Sequence, residues 1–197
     1  MISLSFSLYA NSKVLLVFGD SLSAAYRIPQ TQGWVALLDE KLKTEYPHWS
    51  VINASVVGET TSGGRQRLPA LLERDHPTLV ILELGGNDGL RGHPPLLIQK
   101  NLEFMIQACQ KVQAQVLLIG MKMPPNYGGP YTQQFEQIFP DLSKEYDLPF
   151  VPFFLEKVAL NPKLMQSDHI HPTAEAQPLL LEVLLPVLMP LLNQPSL

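Results

Sequence analysis

The chain has 197 residues, 46% hydrophobic and only 16% charged, a balance that speaks against general disorder and suffices for one packed domain. A formal net charge of −4, with no run of Lys or Arg, speaks against a nucleic-acid binder, which would carry a basic face. The single cysteine, Cys109, can form no internal disulfide and no zinc site by itself, and it reads as a small buried hydrophobe.

Residues 1–10 are uncharged and mostly apolar and end on the small residue Ala10, like the tail of a signal peptide. The basic n-region is missing, and Leu8 is large for the position three before a cut. A periplasmic or secreted location is expected if this is such a remnant, and a cytoplasmic one if Met1 is the true start. Residues 11–197 then form one domain. No run of 18 uncharged apolar residues occurs, so no transmembrane helix is expected.

Residues 13–18 read as a strand stopping at Gly19. Trp34, Leu37, Leu38 and Leu42 recur at helical spacing over 34–46. A strand follows at 50–53, a helix at 65–74, and a third strand at 78–84 that closes on Gly85-Gly86. A helix at 96–112 is expected to pack Leu96, Leu97, Phe104, Met105 and Cys109 into the core. Then come a strand at 115–120, a helix at 131–146, a strand at 148–154 and a last helix at 173–192. Pro178, Pro186 and Pro190 are expected to kink or interrupt that helix. Strands without polar alternation are buried on both faces, and regular βα alternation implies a three-layer α/β/α sandwich, flavodoxin-like, on a five-stranded parallel sheet. Ligands in such folds sit beyond the carboxyl ends of the strands.

Three of those ends carry groups suited to chemistry. Gly19-Asp20-Ser21-Leu22-Ser23 follows the first strand. A serine opening a helix there presents its hydroxyl and aims its amide at a developing anion. Gly58, after the second strand, can bring a bare backbone amide close to a substrate. Asn87, after the third, can donate from its carboxamide. Near the C-terminus lies Asp168-His169-Ile170-His171-Pro172. A serine hydroxyl needs a base, and His171 serves if a carboxylate fixes its tautomer; Asp168 lies three residues upstream. Asp20 and Asp88 read as structural, holding loop amides, and His48 and His76 as surface residues.

These four segments, in this order, resemble the SGNH-hydrolase or GDSL-esterase family, with Ser21, Gly58, Asn87 and His171 at its four namesake positions. Residues 19–26, 67–72, 83–92 and Pro125-Asn126-Tyr127-Gly128 resemble its bacterial thioesterase I / lysophospholipase L1 / arylesterase subgroup, whose members are typically exported. The resemblance implies a serine esterase acting on acyl esters and thioesters through a Ser21–His171–Asp168 triad. It also implies an oxyanion hole formed by the Ser21 and Gly58 amides and the Asn87 side chain. It implies no metal or organic cofactor and a small acyl substrate as partner; a monomer is expected, although the sequence is silent on oligomeric state. It favours Leu90, Met123, Pro125 and Tyr127 as walls for an acyl chain. His169 departs from the subgroup, which has glycine there, and Ala25 stands where glycine is common. A positive φ at 169 would be tolerated less easily by histidine.

Three other readings compete. Asp168, His169 and His171, with His93, could bind zinc. A carbohydrate acetylesterase would share the fold. A flavodoxin-like phosphate-binding module is disfavoured, because no Gly-x₄-Gly-Lys-Ser/Thr loop occurs and Asp168 and His171 would be left without a purpose.

Overall fold

The computed structural model describes residues 12–193, so the candidate export remnant, residues 1–10, lies outside the described residues. Strand β1 (Lys13–Gly19) is followed by α1 (Trp34–Glu45), β2 (Trp49–Asn53), α2 (Thr61–Asp75) and β3 (Leu79–Glu83). A short helix α3 (Gly86–Leu90) then precedes α4 (Pro95–Lys111), β4 (Gln115–Ile119), α5 (Gly129–Glu145), β5 (Phe150–Val151) and α6 (Gln177–Leu192). All four strand pairings are parallel, in the order β2-β1-β3-β4-β5.

Alternate residues of each apolar strand face opposite ways, so one run feeds two cores. Leu15, Val17, Ile81, Leu117 and Ile119 pack beneath α1 and α6 against Trp34, Leu38, Leu42, Leu180, Leu184 and Leu188. Leu16, Phe18, Val80, Leu82 and Leu118 face α2, α4 and α5, where Leu68, Leu102, Met105, Phe135 and Phe139 wait. Cys109 belongs to this second core, and burial pushes its thiol up to about 12.

Four expectations are corrected. Helix α2 starts at Thr61, not residue 65, because the Thr60 side chain caps it by accepting from the Gly63 amide at 3.2 Å. Gly64 inside it is a packing glycine: a Cβ there would stand 2.5 Å from Leu84 and crowd Met105 and Phe18 at 3.2 Å. In α4 the buried face is Ile98, Leu102, Met105, Ile106 and Cys109, whereas Leu96 and Leu97, in the first turn, are 62% and 47% exposed. The last strand shrinks to Phe150–Val151. Helix α6 runs unbroken from Gln177 to Leu192, preceded by a single 3₁₀ turn. Pro186 and Pro190 lie with Glu182 on its exposed stripe, so the carbonyls that lose their N–H partners face water. Residues 174–192 are apolar and long enough to cross a membrane by composition alone, but their leucines fill the core beneath the sheet.

Gly120 directly follows β4 and packs against the end of β5. Its amide donates to Val151 O at 2.7 Å, and an added Cβ would stand 2.4 Å from Pro152 O and 2.9 Å from Val151 O. Backbone cannot rotate aside as a side chain can, so Gly120→Ala is expected to destabilise the fold by about 2–3 kcal/mol, measured by urea unfolding.

Candidate active site

Parallel pairing sends the ends of β1, β2 and β3 to one edge of the sheet, and the predicted groups gather there. Ser21 follows β1 in a run of turns, not the helix expected for it. The cause is local. Asp20 Oδ1 accepts from the Leu22 amide at 3.0 Å, and Ala25 and Arg27 take left-handed backbone (φ 55° and 57°) that no α-helix accommodates. The Ser21 amide is therefore aimed by this turn and receives no help from a helix dipole.

Ser21 is buried to 8% exposure, and its Oγ lies 2.8 Å from His171 Nε2. His171 Nδ1 lies 2.8 Å from Asp168 Oδ2. The other Asp168 oxygen accepts from the Ile170 and His171 amides, both at 3.0 Å. Partial burial raises the Asp168 pKa, but these amide bonds, the ring N–H and the nearby His171 charge outweigh it and hold the carboxyl at about 2. The carboxylate thus stays charged and fixes the imidazole with Nε2 toward the serine. The Tyr26 ring lies 4.4 Å from that of His171. His169, at φ 58°, does adopt the left-handed backbone at which glycine is usual, and the Asp168–His171 contact forms nonetheless.

Gly58 sits at φ 76° in a turn closed by the Glu59 amide on Val56 O (3.1 Å), and the Val56 amide fastens that turn to Gly19 O (3.1 Å). Arg67 braces it further, reaching Glu59 at 2.7 Å and Ala54 O at 3.0 Å. Asn87 occupies the second position of α3, and its Nδ2 donates to Asp20 Oδ2 at 3.0 Å. That bond uses one amide hydrogen and leaves the other free to donate. Among the described residues no acceptor meets the Ser21 or Gly58 amide. Asp88 is structural, as expected, but it holds the start of α2 and not a loop amide: it accepts from the Thr61 amide (2.8 Å) and hydroxyl (2.7 Å), and it pairs with His93.

Beneath the nucleophile lie two buried acids. Burial raises Asp20 to about 6, against the opposing hydrogen bonds from Leu22 and Asn87 and the charge of His171. Glu83, fully buried at the end of β3, is pushed well above the usual carboxyl range by burial and by the Asp20 charge. Sequence reasoning missed Glu83. The signal was present: one acid inside the apolar run Leu79-Val80-Ile81-Leu82-Glu83-Leu84.

The candidate acyl-chain residues lie beyond β3 and β4: Leu90 ends α3, Met123 lies in the segment after β4, and Pro125 and Tyr127 bound a single 3₁₀ turn. Met123 is buried, and a side chain at Gly89 would collide with it and Phe135. The Tyr127 hydroxyl donates to Leu90 O at 3.1 Å, joining the two loops. The side chain of Pro125 lies outside the described ones. The zinc reading finds no assembled ligand set among the described residues: the His171 nitrogens face Ser21 and Asp168, while His93 faces Asp88.

The sequence profile of the GDSL-like Lipase/Acylhydrolase family matches residues 17–178. Esterase TesA of Pseudomonas aeruginosa is 48% identical over 183 residues, covering 93% of this chain and 91% of TesA. The Thioesterase 1/protease 1/lysophospholipase L1 of Escherichia coli is 44% identical over 187 residues, covering 95% of this chain and 88% of that protein. Among solved structures, the psychrotrophic esterase EstA from Pseudoalteromonas sp., inhibited by monoethylphosphonate, superposes with a TM-score of 0.87 at 40% identity, over 92% of this chain and all of EstA.

Two outcomes are expected. His169→Gly relieves a left-handed residue at an exposed position and should raise stability by about 1 kcal/mol, read by thermal unfolding. Asp20→Asn removes a buried charge but offers one carbonyl oxygen to the two donors Leu22 and Asn87. A carboxyl raised in the fold makes the parent less stable as pH climbs from about 4 to 6. The variant should therefore gain on the parent through that window, followed by chemical denaturation at each pH, while its esterase kcat falls.

Proposed function

The chain belongs to the GDSL-like lipase/acylhydrolase family, built on the SGNH-hydrolase fold, and is a carboxylic ester hydrolase; from that premise we propose that Ser21, His171 and Asp168 perform two-step acyl transfer. The observation that carries this reading is the unbroken relay from Ser21 Oγ through His171 to Asp168, two contacts of 2.8 Å each.

His171 Nε2 takes the Ser21 hydroxyl proton as Oγ attacks the acyl carbonyl carbon. The carbonyl π pair moves to oxygen, and the imidazolium that forms is held by ionised Asp168. The Ser21 amide, the Gly58 amide and the second hydrogen of Asn87 Nδ2 receive the oxyanion. Collapse of the intermediate breaks the bond to the leaving group, which takes the proton from His171. Water then repeats the sequence on the acyl-serine and releases the acid. Each missing oxyanion donor is worth about 10²–10³ in turnover in other serine hydrolases.

The substrates we propose are esters and thioesters of single acyl chains, including acyl thioesters and lysophospholipids. The names of the relatives support this range. So does the clustering of apolar side chains beyond β3 and β4: Tyr127 is joined to Leu90 by its hydroxyl on Leu90 O, and Met123 packs beside Gly89, a candidate apolar wall. All reacting groups come from one chain, which suits a monomer.

Ser21→Ala should lower kcat for p-nitrophenyl butyrate by about 10⁴–10⁶, with the thermal midpoint unchanged. A variant hydrolysing at the parent rate would overturn the assignment. A fluorophosphonate should label the parent at Ser21 and leave Ser21→Ala unmodified.

A further inference from the structure

Glu83 is the most improbable residue in the sheet. It is completely buried at the end of a strand that is otherwise apolar, and among the described residues no cation pairs with it. A lone ionised carboxylate in such a place is very costly, so the group must be neutral, purposeful or both. Its contacts point to purpose. Oε2 accepts from the Ser23 hydroxyl at 2.6 Å and from the Asp20 amide at 3.2 Å, while Oε1 has no partner. Asp20 and Ser23 are the two ends of the turn whose middle is Ser21. The register supplies the room: Glu83 lies opposite Gly19 across β1 and β3, and a Cβ on Gly19 would stand 2.5 Å from Oε2 and 2.8 Å from Ser23 Oγ.

Asp20 carries the connection onward. Its amide is held by Glu83, its Oδ1 holds the Leu22 amide, and its Oδ2 holds Asn87 Nδ2. One chain of bonds thus leads from the end of β3 to the nucleophile turn and back to α3.

We propose that Glu83 is a positioning residue: its carboxyl group clamps both ends of the nucleophile turn and, through Asp20, aims the Asn87 carboxamide at the point the Ser21 amide faces. Glu83 does this as a neutral acid. Both donors, the Ser23 hydroxyl and the Asp20 amide, use Oε2 alone, the proton resides on Oε1, and the adjacent Asp20 keeps the charge, which strengthens its bonds from Leu22 and Asn87. The groups bearing charge around this pair are Asp20 itself, Asp88 on α3 and His171. The proposal rests on the acyl-transfer reading above and assigns a further group to it.

The test compares Glu83→Gln with Glu83→Met. Gln keeps the accepting carbonyl and places an amide where Oε1 stands; Met keeps the length and removes the acceptor. With p-nitrophenyl butyrate, Glu83→Gln should retain kcat within about threefold and leave the acid limb of the pH profile in place. Glu83→Met should lose about 10² in kcat at little-changed KM, and fluorophosphonate labelling of Ser21 should slow in parallel. Parent-like kcat in Glu83→Met would overturn the proposal. So would Glu83→Gln as impaired as Glu83→Met, or with a displaced acid limb, since a charged carboxylate would then be required. If Glu83→Met does not fold, Ser23→Ala decides: a kcat about tenfold lower supports the clamp, and an unchanged one overturns it. A parent protein that neither hydrolyses the ester nor reacts with the phosphonate would instead refute the acyl-transfer reading.

Discussion

The parallel pairing of β1 with β3 sets Gly19 against Glu83, and this one register determines where the reacting groups stand. A slip by one residue would turn Glu83 to the opposite face of the sheet and leave the nucleophile turn without its buried acceptor. With the register in place, the strand ends lie side by side. The turn at Ser21, the Gly58 turn tied to Gly19 O and the start of α3 then leave the sheet from adjacent points. The two apolar cores pack both faces of these strands. The Ser21 and Gly58 amides and the Asn87 side chain, which we propose as oxyanion donors, leave this edge of the sheet already in place, the condition under which such donors stabilise a transition state most.

Three carboxyl groups serve this site, and environment gives each a different charge state. Asp168 lies in a partly exposed turn and is surrounded by donors, so it stays ionised far below neutrality. Asp20 is buried but holds two donors, and its pKa rises to about 6. Glu83 is buried deeper, with the Asp20 charge beside it, and is pushed further still. Neighbouring acids in one low-dielectric region cannot both ionise cheaply. Each accepts two hydrogen bonds, and Asp20, which also has the charge of His171 nearby, keeps the charge. The enzyme thereby tolerates a destabilising pair beneath its nucleophile, a pattern in which local strain accompanies function.

Most of the fold was legible in the sequence because its strands are continuous apolar runs and its helices have clear amphipathic spacing. Ser21, Gly58, Asn87, Asp168 and His171 could be singled out because each follows a strand end or sits in a compact polar turn. What escaped the sequence depends on three-dimensional neighbours. The Gly63-Gly64 pair looks like a break until Thr60 is seen to cap and Gly64 to admit Phe18. Leu96 and Leu97 match a helical stripe but lie one step off the buried face. The turn at Ser21 hides because Asp20 and two left-handed residues, Ala25 and Arg27, override any helical tendency. Glu83 hides because its partners, Asp20 and Ser23, are 60 or more residues away in sequence.

The base reaches the site by a different route from the donors. Asp168 and His171 meet within a single turn, and the Gln166 amide on His171 O (2.7 Å) and the bridge between Met165 and Pro172 shape that turn locally. Among the described residues, no strand residue hydrogen-bonds to it. Gln166 Nε2 ties it to the nucleophile turn by donating to Tyr26 O at 2.9 Å, and Trp34 adds a second connection. Its amide donates to Gln177 Oε1 at 3.0 Å, at the start of α6 just beyond the base, and its indole N–H donates to Leu22 O at 3.2 Å, beside the nucleophile. Trp34 is itself buried against Phe154, with ring centroids 5.3 Å apart. One rigid aromatic at the start of α1 thus ties the base-bearing segment to the serine-bearing turn. The 2.8 Å contact between Ser21 and His171 spans 150 residues of sequence, and burial of that side chain in the α1/α6 core helps to keep it fixed.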